Sequence, residues 1–216
     1  MRKGMIITCP DYDDVTKVFF EYSKEVKQLT HQKGIALKEL NIQDANQDNF
    51  KKVLEKLDYS FVFLNGHGNG CVVAGNKGEI ILSDKINFLE FGKRICYCRS
   101  CGSAKKLGVD IVKDGGVFIG YNKPFKFYIS EKNINNPLGD EVTKLFLNPS
   151  NIVSKTIIKG QSAYEADDRG KKAILKNINR VLKDNVFSLQ IAVDLWNNYN
   201  SQVVHGDSEL KIGDNF

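Results

Sequence analysis

The chain has 216 residues, of which 42% are hydrophobic and 26% charged, with a formal net charge of +5. That balance suits one globular domain, taken here as residues 1–216, with a sizeable core. The positive charge is mild and its lysines scattered, which excludes a nucleic-acid-binding protein, and no apolar run is long enough to span a membrane.

The basic start, Met1-Arg2-Lys3-Gly4, is followed by too short an apolar run for a secretory signal. The cysteine count is odd, at five. A reduced, cytoplasmic protein is therefore expected.

The run 5–9, stopped by Pro10 and Asp11, predicts a buried first strand. Val15, Val18, Phe19, Tyr22, Val26 and Leu29 recur at helical spacing, and Lys33-Gly34 ends that helix. Residues 35–40 predict a second strand. Phe50, Val53, Leu54 and Leu57 give the next helix its apolar face, and 61–64 form a third strand. The order β-α-β-α-β predicts a parallel, doubly wound sheet. Runs 71–74 and 79–82 flank Gly75-Asn76-Lys77-Gly78, a hairpin signal and a candidate flap.

A short helix or turn over 87–92 leads to the strand 95–98. A helix over 104–112 is expected to start just past Cys101, and Gly115-Gly116 ends it before a strand at 117–121. Residues 126–130 predict a short edge strand, and 131–137 a loop. A helix over 138–147 is expected to break at 148–151, around Pro149. Helices over 162–182 and 187–199 and a late strand at 202–207 complete the chain. The polar segments 131–137 and 148–155 are the expected mobile loops and candidates for self-cleavage.

Two turns carry chemistry. The strand at 61–64 ends in Asn65-Gly66-His67-Gly68, and that at 95–98 ends in Arg99-Ser100-Cys101-Gly102-Ser103-Ala104. As parallel neighbours, these strands would bring an imidazole and a thiol to one carboxyl edge, where open α/β sheets place ligands. A helix starting past Cys101 would favour its thiolate, and His67 would move the protons. The N–H groups of Gly68 and Cys101 could stabilise an oxyanion.

Cys96-x-Cys98-x-x-Cys101, with His67 or Cys71, is an alternative metal set. Strand alternation weighs against it, since Cys96 and Cys98 face away from Tyr97, Arg99 and Cys101. No metal is therefore expected. Cys9, Cys71, Cys96 and Cys98 read as packing residues, His31 as solvated and His205 as a strand-end residue. For Asp13 or Asp14, a helix cap is expected ahead of substrate contact. Asp11 is the candidate substrate contact of that loop.

Leu64-Asn65-Gly66-His67-Gly68, followed by Ser100-Cys101-Gly102-Ser103-Ala104, resembles the caspase-like cysteine peptidases of clan CD. Three further stretches are similar to the gingipain and CHAT branch. They are Gly115-Gly116-Val117-Phe118-Ile119-Gly120-Tyr121, Ile157-Ile158-Lys159-Gly160-Gln161-Ser162-Ala163-Tyr164-Glu165-Ala166, and the closing His205-Gly206-Asp207.

The resemblance implies an α/β three-layer sandwich, with helices on both faces of a mostly parallel sheet. It implies a cysteine endopeptidase acting through a Cys101 thioester, with His67 as acid and base and no cofactor. The implied partner is a protein substrate, with a regulatory protein partner left open, and with neither nucleic acid nor membrane. Arg99, two places before Cys101, stands where such families line the primary pocket. A guanidinium there implies cleavage after aspartate or glutamate, whereas the loop of Asp11 to Asp14 would favour lysine or arginine. Tyr121 and Asn122 are further candidate substrate contacts.

Two alternatives stay open. One is a catalytically silent caspase-like scaffold or protein-binding module. The other is a flavodoxin-like receiver or nucleotide-binding module, although no Walker A or Gly-x-Gly-x-x-Gly sequence supports it.

Overall fold

The computed structural model describes residues 1–184 and 187–214. In chain order its elements are β1 (Arg2–Cys9), α1 (Asp14–Gln32), β2 (Ala36–Asn41), α2 (Gln47–Lys56) and β3 (Tyr59–Asn65). Then come the hairpin strands β4 (Val72–Ala74) and β5 (Ile80–Ser83), α3 (Phe88–Phe91), β6 (Ile95–Arg99), α4 (Leu107–Ile111) and β7 (Val117–Tyr121). The last four are α5 (Glu141–Ile158), α6 (Ala163–Lys183), α7 (Leu189–Ser201) and β8 (Gln202–Gly206).

A six-stranded sheet in the order β2-β1-β3-β6-β7-β8 forms the middle layer. Its strands are parallel except β8, which runs antiparallel to β7 at the edge. Burial on both faces explains why the central strands β1, β3, β6 and β7 read as nearly continuous apolar runs. Met5, Ile7, Phe61, Phe63, Tyr97 and Ile119 join the core shared with α1, α5 and α6. Ile6, Val62, Leu64, Cys96, Cys98 and Phe118 pack on the opposite side with α2, α4 and the hairpin. This is the three-layer α/β sandwich expected above. No helix among the described residues is long and apolar enough to cross a membrane.

Three local expectations are corrected. Helix α5 does not break at 148–151 but runs from Glu141 to Ile158 with Pro149 inside it. Pro149 has no N–H to offer the carbonyl of Leu145, one turn back. Asn177 of α6 supplies the missing donor, its Nδ2 lying 2.7 Å from that oxygen. Residues 148–155 are thus helix, and not a loop; 131–137 contains only short 3-10 turns at Glu131–Asn133 and Pro137–Gly139.

The helix after Cys101 starts only at Leu107, following a run of turns. The Gly102 and Ala104 N–H groups donate to the carbonyls of Lys123 and Tyr121, each at 3.0 Å, which ties this stretch to the end of β7. Residues 126–130 form no strand. The N–H and C=O of Lys126 bond the side-chain amide of Asn198 in α7, at 2.9 and 2.7 Å, in place of a neighbouring strand.

Asp140 caps α5 and links it to the preceding loop. Its carboxylate accepts from the N–H groups of Thr143 and Ser130, from Ser130 Oγ and from Asn133 Nδ2. Burial alone would raise its pKa, but these four donors outweigh it and hold the carboxyl well below its ordinary value of 3.8. A depressed folded-state value contributes stability above the unfolded pKa, and that contribution disappears as pH falls through the folded one. Wild-type stability is therefore expected to decline below about pH 4, and more steeply than that of Asp140→Asn, which keeps a capping oxygen without the titration. Urea midpoints at pH 7 and pH 3 measure the difference, and equal slopes for the two proteins would refute it.

Candidate active site

Strands β3 and β6 pair in parallel with Asn65 opposite Arg99. His67 and Cys101 therefore each stand two residues past the same rung, at the carboxyl edge of the sheet. Their turns touch. A Cβ on Gly68 would fall 2.2 Å from Ser100 Oγ and 2.6 Å from the Val72 carbonyl, so only glycine fits between the cysteine turn and the hairpin. Gly68 faces Val73 in an isolated antiparallel bridge. The hydrogen bonds around that bridge belong to its neighbours, with Asn69 N–H on the Val72 carbonyl at 3.1 Å and Ala74 N–H on the His67 carbonyl at 2.9 Å. The Gly68 N–H consequently points away from the hairpin. The hairpin flanks the site, as its sequence suggested.

His67 Nε2 lies 2.7 Å from Oδ2 of Asp13. The same carboxylate caps α1: its Oδ1 accepts from Thr16 N–H at 2.8 Å and from Thr16 Oγ1 at 2.7 Å. Burial pushes the Asp13 pKa up, but the Thr16 bonds and the imidazole outweigh it and hold the group below its ordinary value. An ionised carboxylate can only accept, so Nε2 carries the hydrogen and Nδ1 is left to exchange a proton.

Cys101 is half-buried, with Sγ 3.9 Å from the carbonyl of Phe125. A cleft of about 280 Å³ joins the imidazole and the thiol: Gly66, His67, Ser100 and Cys101 line one part of it. The rest comes from the start of α1, at Asp14, Val15 and Phe19, and from the extended segment 125–129.

The remaining sequence candidates lie elsewhere. Arg99 is the main correction: it is fully buried and does not line the cleft. Its Nε donates to Asn65 Oδ1 at 2.9 Å, Nη1 to Asn151 Oδ1 at 3.0 Å, and Nη2 to Phe19 O at 3.2 Å and Ser23 Oγ at 3.1 Å. The Phe19 ring, itself part of the cleft wall, lies 4.8 Å from the guanidinium carbon. Alternation does send Arg99 to the same face as Tyr97, but α1 and α5 cover that face. Among the described residues no carboxylate pairs with Arg99, and burial draws its pKa below the ordinary value.

Tyr121 is likewise core. It is 1% exposed, and its hydroxyl bonds Gln202 Oε1 at 3.2 Å and the Tyr97 hydroxyl at 3.3 Å. Asn122 gives its N–H to the Ser201 carbonyl and lies outside the cleft, as does half-buried Asp11.

Cys9, Cys96 and Cys98 pack in the core as expected, whereas Cys71, just before the hairpin, is exposed and not a packing residue of the core. Burial pushes the Cys98 thiol up to about 12 and raises Cys96 as well. Among the described residues no group of three or more His, Cys, Asp or Glu is arranged to hold a metal. His31 is solvated, and His205 Nε2 bonds the Ala104 carbonyl at 2.9 Å.

Two contributions escaped the sequence reading. Asp13 was expected as a cap, and it also partners His67. The signal was the topology: in a doubly wound sheet β1 neighbours β3, so the loops after them abut. The aromatic wall at 125–129 was hidden by its strand-like alternation.

No protein-family model matches the chain, and no curated protein sequence matches it. Solved structures do. The Arg-specific cysteine proteinase gingipain R superposes with a TM-score of 0.63 at 12% identity, over 97% of this chain and 47% of that one. The complex of the pro- and mature domains of Porphyromonas gingivalis RgpB gives 0.60 at 9% identity, over 97% and 48%. A further structure described as a protease gives 0.60 at 12% identity, over 98% and 48%. The chain thus spans about half the length of the solved structures it matches. At such identities the likeness is one of fold, and that fold is shared with cysteine proteinases.

Proposed function

We propose that the chain is a cysteine endopeptidase with Cys101 as nucleophile, His67 as acid and base, and Asp13 as the group that positions the imidazole. The observation carrying this reading is the convergence of His67 and Cys101 on one cleft, at the sheet edge of a fold shared with cysteine proteinases. His67 Nδ1 takes the thiol proton, and the Cys101 sulfur attacks the peptide carbonyl. The Gly68 and Cys101 N–H groups hold the oxygen as it becomes negative. Collapse of the intermediate breaks the C–N bond, and His67 gives its proton to the leaving amine. A water deprotonated by His67 then hydrolyses the thioester, returning the thiol and releasing the carboxylate product.

The helix that was expected to bias Cys101 toward the thiolate is short and distant, so activation rests on the imidazole. One structural neighbour is a complex of pro- and mature domains, which supports a protein segment as regulator of such a cleft.

The reading is tested with a peptide carrying a thiol-trapping ketone, followed by intact mass and peptide mapping. Labelling of Cys101 that requires His67 supports it, and equal labelling of Cys71 and Cys101 by the probe counts against it.

Asp13 is a positioning residue, and its role separates from its capping role. Asp13→Asn keeps a good cap but removes the charge that steadies a protonated imidazole. Its turnover is expected to fall on the order of 10- to 100-fold, with KM and the melting temperature little changed. Asp13→Ala should in addition lose about 1 kcal/mol of stability. Unchanged kcat in Asp13→Asn would reduce the contact to a surface ion pair.

A further inference from the structure

The cleft beside Cys101 has a chemistry of its own. Val15, Phe19, Phe125, Phe127 and Ile129 supply its walls. Ring centroids of Phe19 stand 6.1 Å from Phe125 and 5.4 Å from Phe127, and those two rings are 6.2 Å apart, so the three form one aromatic surface. The wall is fixed from behind. Asn198 holds the backbone of Lys126, and Asp194 accepts from the Tyr128 hydroxyl.

The bordering charges are Asp14 and Lys126, which are exposed and opposite in sign. The buried charge behind this wall, Arg99, lies under the Phe19 ring with all three guanidinium nitrogens already hydrogen-bonded. A charged side chain entering this cleft would lose water and find no buried partner, whereas an apolar one would simply bury surface. Ser100 also lines the cleft, but its Oγ is buried behind Gly68 and offers an entering charge no contact.

We infer that this cleft is the primary specificity pocket and that it takes a bulky apolar side chain, phenylalanine, tyrosine or leucine, from the residue before the scissile bond. The inference rests on the peptidase reading above, and its test separates the two. In the first arm, wild-type protein is given a peptide library that varies only that residue. Cleavage after phenylalanine or leucine is expected to exceed cleavage after arginine, lysine or aspartate by about tenfold or more in kcat/KM. Phe127→Ala should lower cleavage after phenylalanine by a similar factor, and Ile129→Asp should move preference toward lysine and arginine. Both side chains are half-buried; if Phe127→Ala does not fold, Ile129→Asp carries this arm.

The second arm needs no turnover. Cys101→Ala is titrated with acetylated pentapeptides carrying central phenylalanine, arginine or aspartate, and binding is read from the Phe125 and Phe127 ring resonances. Preferred cleavage after arginine or aspartate overturns the apolar pocket and leaves the peptidase standing. No cleavage by wild type, with phenylalanine-selective binding retained, supports the pocket and overturns the peptidase. Neither cleavage nor selective binding overturns both.

Discussion

Cys101→Ala is expected to lower peptide cleavage on the order of 10⁴-fold or more while leaving the fold intact. The sulfur is half-buried on a turn, and its nearest polar contact is a weak one, 3.9 Å from the Phe125 carbonyl. Its removal gives up only that weak contact, and stability should change by less than about 1 kcal/mol. His67→Ala should be comparably inactive, because without the imidazole neither the thiol nor the leaving amine has a proton partner. Combining the two substitutions should cost little more than either alone, as for groups acting as one unit. Iodoacetamide adds a check, since Cys9, Cys96 and Cys98 are buried and only Cys71 and Cys101 are accessible. Near-normal cleavage by Cys101→Ala would remove the nucleophile from the mechanism.

The second large effect falls on stability. Arg99 joins four chain segments: Asn65 at the end of β3, its own β6, Phe19 and Ser23 of α1, and Asn151 of α5. Arg99→Ala would empty a fully buried site and leave the side-chain oxygens of Asn65 and Asn151 without a donor, while the Phe19 carbonyl keeps its bond from Ser23 Oγ. A loss of roughly 3–5 kcal/mol is expected from the cavity and the unpaired oxygens together. Arg99→Lys should recover part of this, because a single ammonium cannot span four acceptors fixed around a planar fork. Urea midpoints measure both. If the lysine variant folds, its preference among library peptides should match the wild type. A loss confined to acidic peptides, with normal stability, would return Arg99 to the pocket.

The fate of Arg99 shows what was legible in the sequence. Period-two alternation placed its side chain on the correct face, and parallel order placed His67 and Cys101 at one edge. Neither rule says what covers a face. Asn151, which helps to bury Arg99, lies 52 positions away in a helix that was expected to break before reaching it. The break itself was a sound local inference from Pro149, overridden by one donor from Asn177. Residues 126–130 failed in the same way: their alternation is real, but an asparagine side chain on α7 satisfies the backbone in place of a sheet neighbour. Strands and long helices are written in short-range periodicity. Long-range side-chain bonds that rescue or redirect the backbone are not.

The Asn177 contact has a consequence for how the protein assembles. Helix α5 formed by itself would carry an unanswered carbonyl at Leu145, one turn before the proline in its middle, so it is a poor independent nucleus. Closing it requires α6 to be in register, and once docked each helix stabilises the other at the same point. The pair is then a single cooperative unit that opens and closes together, and the amides on either side of Pro149 should share one exchange rate with those around Asn177. Because Asn151 and Ser150 of the same helix reach Arg99 and Tyr97 on β6, opening of this unit also loosens the strand that leads into the Cys101 turn.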